Sequence, residues 1–361
     1  MLLYYSILLP LCISLCIGMY VIPRILLVSA RKQLFDEPDE RKVHERPVSR
    51  LGGISFLPVL LISVSTTLAV RLGLDAGATD DLGSDTLVRM LLMVAGMTVM
   101  FLVGAKDDLV GVAYRWKFVA QICAGLLLPV GGLWLHGLDG LFGIYELPVW
   151  AGWLLTVFAV VYITNAMNLI DGIDGLASGL SMIAFTVFGL CFAWKGQCLM
   201  ASLAFGMTGV LIPFWVRNMF GNEKRGRKIF MGDAGSLTLG YLLSFLAVSL
   251  SVQGGTVYPS GMLMVCFGTL LIPLLDVAYV VYVRTRNKKN PFKPDKNHIH
   301  HRLLRTGMGA HCVLAVLLTA SLLFIALNAA GLLLGVNLTL LLCTDITLWL
   351  VMQAVIHAMQ K

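Results

Sequence analysis

Long apolar runs alternate along this chain with short stretches rich in Arg, Lys, Asp, Asn and Gly. A run of about 20 apolar residues crosses the hydrocarbon core of a bilayer as a helix, because a helix satisfies all its own backbone groups there. Eleven such spans are predicted, at 3–29, 51–70, 87–104, 118–136, 149–168, 176–194, 198–216, 236–252, 261–283, 312–334 and 336–358. The expected fold class is all-α: one polytopic membrane domain covering 1–361, where the length alone would also suit two soluble domains. The apolar stretch Leu2 to Val28 is too long for a signal-peptide h-region and has no basic n-region, so it reads as the first span. The tightest connections follow Trp194 and Leu334. Merging either pair of spans would invert every loop downstream of it.

Composition agrees with the pattern. Hydrophobic residues make up 58% of the 361 positions and charged ones 13%, against roughly 25% charged in soluble domains. The mean hydropathy is +0.84. Eight cysteines are scattered without a CxxC pair, which points to neither a disulfide framework nor a cysteine zinc site. Most sit in apolar runs, where a thiol behaves as a small hydrophobe.

Charge then orients the bundle, since short cytoplasmic loops retain Lys and Arg. Segments 31–50, 105–118, 217–235 and 284–311 hold 22 of the 27 basic residues, and an eleven-span chain places all four on one side. That side is expected to be cytoplasmic, with the N-terminus outside and the C-terminus inside. The net charge of +7 is thus first an orientation signal. No basic surface with groove-reading or stacking elements is present, so no nucleic-acid partner is expected.

The same loops, with 168–176, collect the candidate chemistry. Asp107 and Asp108 are adjacent carboxylates that repel each other unless a cation sits nearby; a solvated loop pair is the plain alternative, weakened by Arg115 and Lys117 just beyond. Asn165, Asn168 and Asp171 recur at a spacing of three, which brings them to one helix face. Asp174 follows, and Gly172 and Gly175 break the helix and let backbone approach a ligand. Oxygen donors of this kind suit Mg²⁺, which takes a few protein ligands plus phosphate and water. The segment Gly232 to Ser236 (GDAGS) resembles a loop entering a helix N-terminus, where free N–H groups favour phosphate. Asp233 there is either the cap of that helix or a second metal ligand. His298, His300 and His301 lack a nearby cysteine, and neighbouring lysines and Arg302 oppose a zinc ion; a diphosphate or sugar fits the cluster better. Lipid headgroups are a further attraction for Lys288, Lys289 and Lys293. Asp276 and Asp345 lie inside apolar runs, where carboxylates are functional candidates. Asp276 stands behind the last basic loop; Asp345 has no evident partner.

Assembled, these residues resemble the polyprenyl-phosphate N-acetylhexosamine-1-phosphate transferase family. The resemblance runs through Arg41-Lys42-Val43-His44 to Gly52-Gly53, then Asp107-Asp108, NAMNLIDGIDGL from Asn165, FMGDAGS from Phe230 and HIHHR from His298, in the family's order. It implies transfer of a sugar 1-phosphate from a UDP-sugar to a polyprenyl phosphate, with release of UMP. Mg²⁺ is the implied cofactor, with Mn²⁺ as a substitute, held by Asn168 and Asp233. Asp107, Asp108, Asp171 and Asp174 are the expected catalytic carboxylates. Lys42, His44, Arg115, Lys117, Asn165, His298, His300, His301 and Arg302 are the expected substrate-binding residues. Asp107 or Asp108 would orient the lipid phosphate or take its proton. The implied location is a bacterial plasma membrane with the site on the cytoplasmic face, among membrane lipid; a homodimer is left open.

Two branches compete for the donor. One transfers phospho-MurNAc-pentapeptide and has three consecutive histidines, whereas Ile299 interrupts the histidines here. The interrupted form resembles the branch that moves GlcNAc 1-phosphate, and UDP-GlcNAc is the favoured donor. A coupled transporter is the alternative from another class, since it also sets acids and broken helices in a bundle. It would place them near mid-membrane, whereas most candidates here lie at one face.

Overall fold

A computed structural model describes residues 2–32, 48–74, 83–252, 261–290 and 297–360. Twelve helices are formed among them: α1 Leu2–Lys32, α2 Phe56–Leu74, α3 Ser84–Val110, α4 Tyr114–Val130, α5 Val149–Ile170, α6 Leu176–Trp194, α7 Cys198–Phe220, α8 Gly232–Val252, α9 Met262–Arg286, α10 Ile299–Leu304, α11 Ala310–Leu333 and α12 Leu338–Met359. No β-strand occurs among the described residues; Ser49 and Ile229 form an isolated parallel bridge.

Ten of these helices are long and apolar enough to cross a membrane. The eleventh predicted span is α4, whose 17 residues reach about 26 Å at 1.5 Å per residue. It still runs the height of the bundle. Lys117 in its first turn bonds Asp233 at one end, and just past its last turn Leu135 N–H donates to Thr156 Oγ1, near the start of α5. The chain is a multi-pass helical membrane protein. Turns at Lys195–Gly196 and Leu334–Gly335 separate the two closest helix pairs, so neither pair merges.

Helix α8 is the axis. Every residue from Ala234 to Leu250 is buried, which an apolar helix reaches only when neighbours surround it. Small residues set how close those neighbours come. A Cβ on Gly104 of α3 would lie 2.5 Å from the Asp233 carbonyl oxygen, and one on Gly53 would lie 2.1 Å from Gly235 N. These contacts draw the end of α3 and the 3₁₀ turn Leu51–Ser55 onto the first turn of α8.

Two features depart from the predicted loops. Helix α3 continues to Val110, so Asp107 and Asp108 stand in its last turn; Gly111, at φ +75°, ends it. Within 284–311 a six-residue helix, α10, is formed. Asp276 of α9 holds its start, accepting Ile299 N–H at 2.8 Å and bonding His298 Nδ1 at 2.7 Å. Asp345 does have a partner. It is buried and accepts from Asn328 Nδ2 at 2.9 and 3.2 Å, an amide pairing between α11 and α12 that sequence spacing does not reveal.

Candidate active site

The ends of α3, α5, α7 and α9 and the starts of α4, α8 and α11 meet at one end of the bundle. Between them lies a cavity of about 370 Å³ lined by Arg50, Asp108, Asn168, Asp171 to Asp174, Asn218, Glu223, Lys228, Phe230 to Asp233, His301 and Ala310. Two chain segments that are distant in sequence zip together to form one wall. Phe230 N–H donates to Ser49 O at 2.8 Å, Gly52 N–H to Phe230 O at 3.0 Å and Gly53 N–H to Met231 O at 2.9 Å. Arg50 is thereby carried beside the segment that ends in Asp233.

At the centre, Lys117 Nζ stands 2.8 Å from Asp107 Oδ2 and also bonds Asp233 Oδ2. Asn168 Nδ2 lies 3.1 Å from Asp233 Oδ1 and 2.8 Å from Ser236 Oγ. Three helices thus converge on one carboxylate. Asp233 does not cap its own helix: Asp108 does, accepting Asp233 N–H at 2.7 Å and Ala234 N–H at 2.9 Å. Asp107 closes its own helix as well, since its Oδ1 accepts Val112 N–H at 2.6 Å.

On the facing wall Lys228 Nζ is 2.7 Å from both Asp174 and Glu223. Burial opposes its charge, but the two carboxylates more than offset that and hold its pKa above the usual lysine value. Asn218 braces this wall, accepting Gly175 N–H at 2.6 Å and donating to Ile229 O at 2.8 Å. Asp171 opens on the cavity. Its side chain is exposed to the cavity, yet desolvation by the atoms crowded around it, then repulsion from Asp233, Asp174 and Asp108, pushes its carboxyl up to about 7, with Arg50 opposing.

The histidine segment divides. His301 lines the cavity, while His300 is buried behind it. A Cβ on Gly172 would lie 2.0 Å from His300 Nε2, so this glycine is what lets the 171–175 turn sit against the ring. Neither ring nitrogen of His300 has a hydrogen-bond partner among the described residues. Burial, then His301 and His298, holds its pKa well below the usual histidine value; it is neutral at pH 7. His298 and Arg302 face away from the cavity, onto Asp276 and Gln353.

Two further expected residues also sit apart. Asn165 exchanges hydrogen bonds with Gln121 of α4, at 2.6 and 3.3 Å, about one turn from Asn168. Arg115 is exposed beside the Tyr114 ring. Lys42 and His44 lie outside the described residues. Conversely Arg50, Asn218, Glu223 and Lys228 line the cavity although no motif marks them, and Phe230, which opens FMGDAGS, lines it too. Lys228 carries a usable signal, because it lies two residues before Phe230 at the start of that motif.

Among the described residues no group of three or more His, Cys, Asp or Glu side chains forms a ready metal cage. Mg²⁺ asks less, taking one or two carboxylates and completing its shell from phosphate and water. Asp107, Asp108, Asp171, Asp174 and Asp233 outnumber Arg50, Lys117 and Lys228 around the cavity. An added cation would offset this excess of negative charge when a phosphate enters. The hard-oxygen donors Asp233, Asp171 and Asn168 fit that cation.

A sequence profile of glycosyl transferase family 4 matches residues 90–251, from α3 to the end of α8. The chain is 31% identical over 307 residues to an undecaprenyl-phosphate alpha-N-acetylglucosaminyl 1-phosphate transferase of Yersinia pestis, covering 84% of this chain and 78% of the relative. It is 33% identical over 304 residues to the enzyme of the same name from Salmonella typhi, covering 82% and 77%. A Bacillus subtilis protein named as a probable undecaprenyl-phosphate N-acetylglucosaminyl 1-phosphate transferase is 31% identical over 298 residues, covering 82% and 76%.

Proposed function

The chain belongs to glycosyl transferase family 4, and on that premise we propose that it transfers GlcNAc 1-phosphate from UDP-GlcNAc to undecaprenyl phosphate, releasing UMP. The observation that carries this reading is the convergence of Lys117, Asn168 and Asp107 on Asp233, side by side with Asp171 and Asp174, at one end of a membrane bundle. The similar enzymes are named for GlcNAc 1-phosphate transfer, which disfavours phospho-MurNAc-pentapeptide as the donor group. A transporter is disfavoured too. The two acids inside the spans, Asp276 and Asp345, are both engaged by structural partners.

In the overall reaction an oxygen of the lipid phosphate bonds to the sugar-linked phosphorus of the donor, and the bond from that phosphorus to UMP breaks. Both reactants are anions, so positioning and charge neutralisation are the main demands on the protein. Lys117, between Asp107 and Asp233, supplies a fixed cation at the centre of the site. Asp108 gives both carboxylate oxygens to backbone N–H groups of α8, whereas Asp107, whose Oδ1 holds Val112 N–H, gives its Oδ2 to Lys117; a phosphate that draws Lys117 away would free that oxygen to receive a proton from the lipid phosphate. Lys228 and Arg50 supply positive charge elsewhere around the cavity, and His301 closes its edge. Mg²⁺ bound by Asp233 and Asn168, with Asp171 nearby, would neutralise diphosphate oxygens.

The bacterial plasma membrane, with this site on the cytoplasmic face, is the proposed location; the basic loops and the bacterial relatives support it. The test is UMP release by purified protein given UDP-GlcNAc, undecaprenyl phosphate and Mg²⁺. Release that needs all three supports the reading, whereas release only with UDP-MurNAc-pentapeptide would reverse the choice of donor.

A further inference from the structure

Helix α10 carries His301 to the cavity and is held from behind by α12. Arg302 Nη1 donates to Gln353 Oε1, and Nη2 to the Gln353 carbonyl at 3.3 Å. Gln360 Nε2 returns a bond to Arg302 O at 2.7 Å. The guanidinium also lies 4.7 Å from the centre of the Tyr279 ring. Arg302 and Gln353 are each only 5% exposed. Among the described residues these partners of the guanidinium are all neutral.

That choice is unusual on physical grounds. A buried cation is ordinarily paired with an acid, and a carboxylate would grip the guanidinium fork with two charge-assisted bonds. Gln353 offers an acceptor of similar shape to Glu without the countercharge. The arrangement fixes α10 with no carboxylate bonded to the guanidinium among the described residues, one residue from His301. In a poorly solvated setting such a charge acts over a longer range than in water. Two other cations of the site, Lys117 and Lys228, are each shared between two carboxylates.

Resting on the reading of the cavity as a nucleoside-diphosphate site, we propose that Gln353 is a positioning residue that holds Arg302 without neutralising it, so that Arg302 attracts the diphosphate from behind α10. Arg302 does so through its field, without reaching the cavity. A purely structural clamp would tolerate or favour Glu at 353; this one does not.

The test compares full-length parent, Gln353→Glu and Arg302→Gln in detergent with Mg²⁺. UDP and uridine are the two probes, and thermal unfolding is followed in parallel. Gln353→Glu should melt at or above the parent and bind UDP about tenfold more weakly, the loss that about 1.4 kcal/mol represents, with uridine affinity unchanged. Unchanged UDP affinity would overturn the proposal. So would parallel losses for UDP and uridine, because displacement of α10 moves both. If Gln353→Glu does not fold, Arg302→Gln decides by the same ratio of UDP to uridine binding. Neither comparison needs turnover. Failure of the parent to release UMP from UDP-GlcNAc would therefore sink the transferase reading and leave this one to be judged by binding.

Discussion

Asp108, in the last turn of α3, accepts the backbone N–H of Asp233 at 2.7 Å, so the cap of α8 comes from another helix. The Asp233 carboxylate is thereby left for Lys117 and Asn168. Neighbours in sequence, Asp107 and Asp108 consequently have different work. Asp108→Asn keeps one acceptor oxygen and should lose a constant factor of activity at every pH. Asp108→Ala should also lose stability, about 1 kcal/mol as for other helix caps. Asp107→Asn cannot take a proton, so its activity should recover relative to the parent as pH rises from about 6.5 to 9, once the lipid phosphate, with a second pKa near 6, is already doubly charged. Flat ratios for both variants, measured as kcat/KM across that range, would leave the pair with positioning alone.

Asp171 gives a pH dependence of stability with a definite sign. An unfolded Asp titrates near 3.9, whereas desolvation and three neighbouring carboxylates push this one up to about 7. Between those values the folded protein holds a proton that the unfolded chain releases. The contribution is present at low pH and is lost as pH rises through about 7. The melting temperature of metal-free parent, minus that of Asp171→Asn, should therefore fall from pH 5 to pH 8. Mg²⁺ added at pH 8 should stabilise the parent more than the variant. Parallel curves with and without metal would contradict this account of Asp171.

Asp233→Asn and Asn168→Ala should each give a folded, membrane-inserted protein with very little activity. In Asp233→Asn the centre loses the charge shared by Lys117 and the proposed cation. Asn168→Ala removes a neutral donor, so its defect should be the milder and should ease with excess Mg²⁺. The check is a Mg²⁺ titration of UMP release. Near-parental rates with unchanged Mg²⁺ dependence in both would remove these two residues as ligands.

Much of this was legible in the chain because bilayer length and loop charge are one-dimensional signals. The spans around Trp194 and Leu334 separate as the apolar pattern indicates, and Asn168, Asp171, Asp174 and Asp233 do meet at one cavity. What was not legible depends on contacts between distant helices. Spacing by three suggested that Asn165 joins Asn168, yet about one helical turn is enough to turn it onto Gln121. The motif HIHHR reads as one cluster. On a six-residue helix its members point different ways, His301 to the cavity and Arg302 to Gln353. Arg50 enters the site only because Ser49 to Gly53 zips onto Ile229 to Met231, a pairing that no local pattern announces.

Sidedness is open to direct labelling. Lys289 follows α9 at the site end, and Tyr145 is 75% exposed in the connection before α5, at the opposite end. With native thiols controlled for, a cysteine at Tyr145 should react with an impermeant thiol reagent in intact cells, and one at Lys289 should not. The reverse pattern would turn the proposed orientation over.

The position of an isotope tests the central claim most directly. UDP-GlcNAc labelled with ³²P in its sugar-linked phosphate should be incubated with purified protein, undecaprenyl phosphate and Mg²⁺, then separated into lipid and aqueous phases. Transfer of GlcNAc 1-phosphate carries the label into the lipid and leaves unlabelled UMP in the water. Label retained in the water as UDP, with GlcNAc alone on the lipid, would contradict the account, because the bond broken would then be the one between sugar and phosphate.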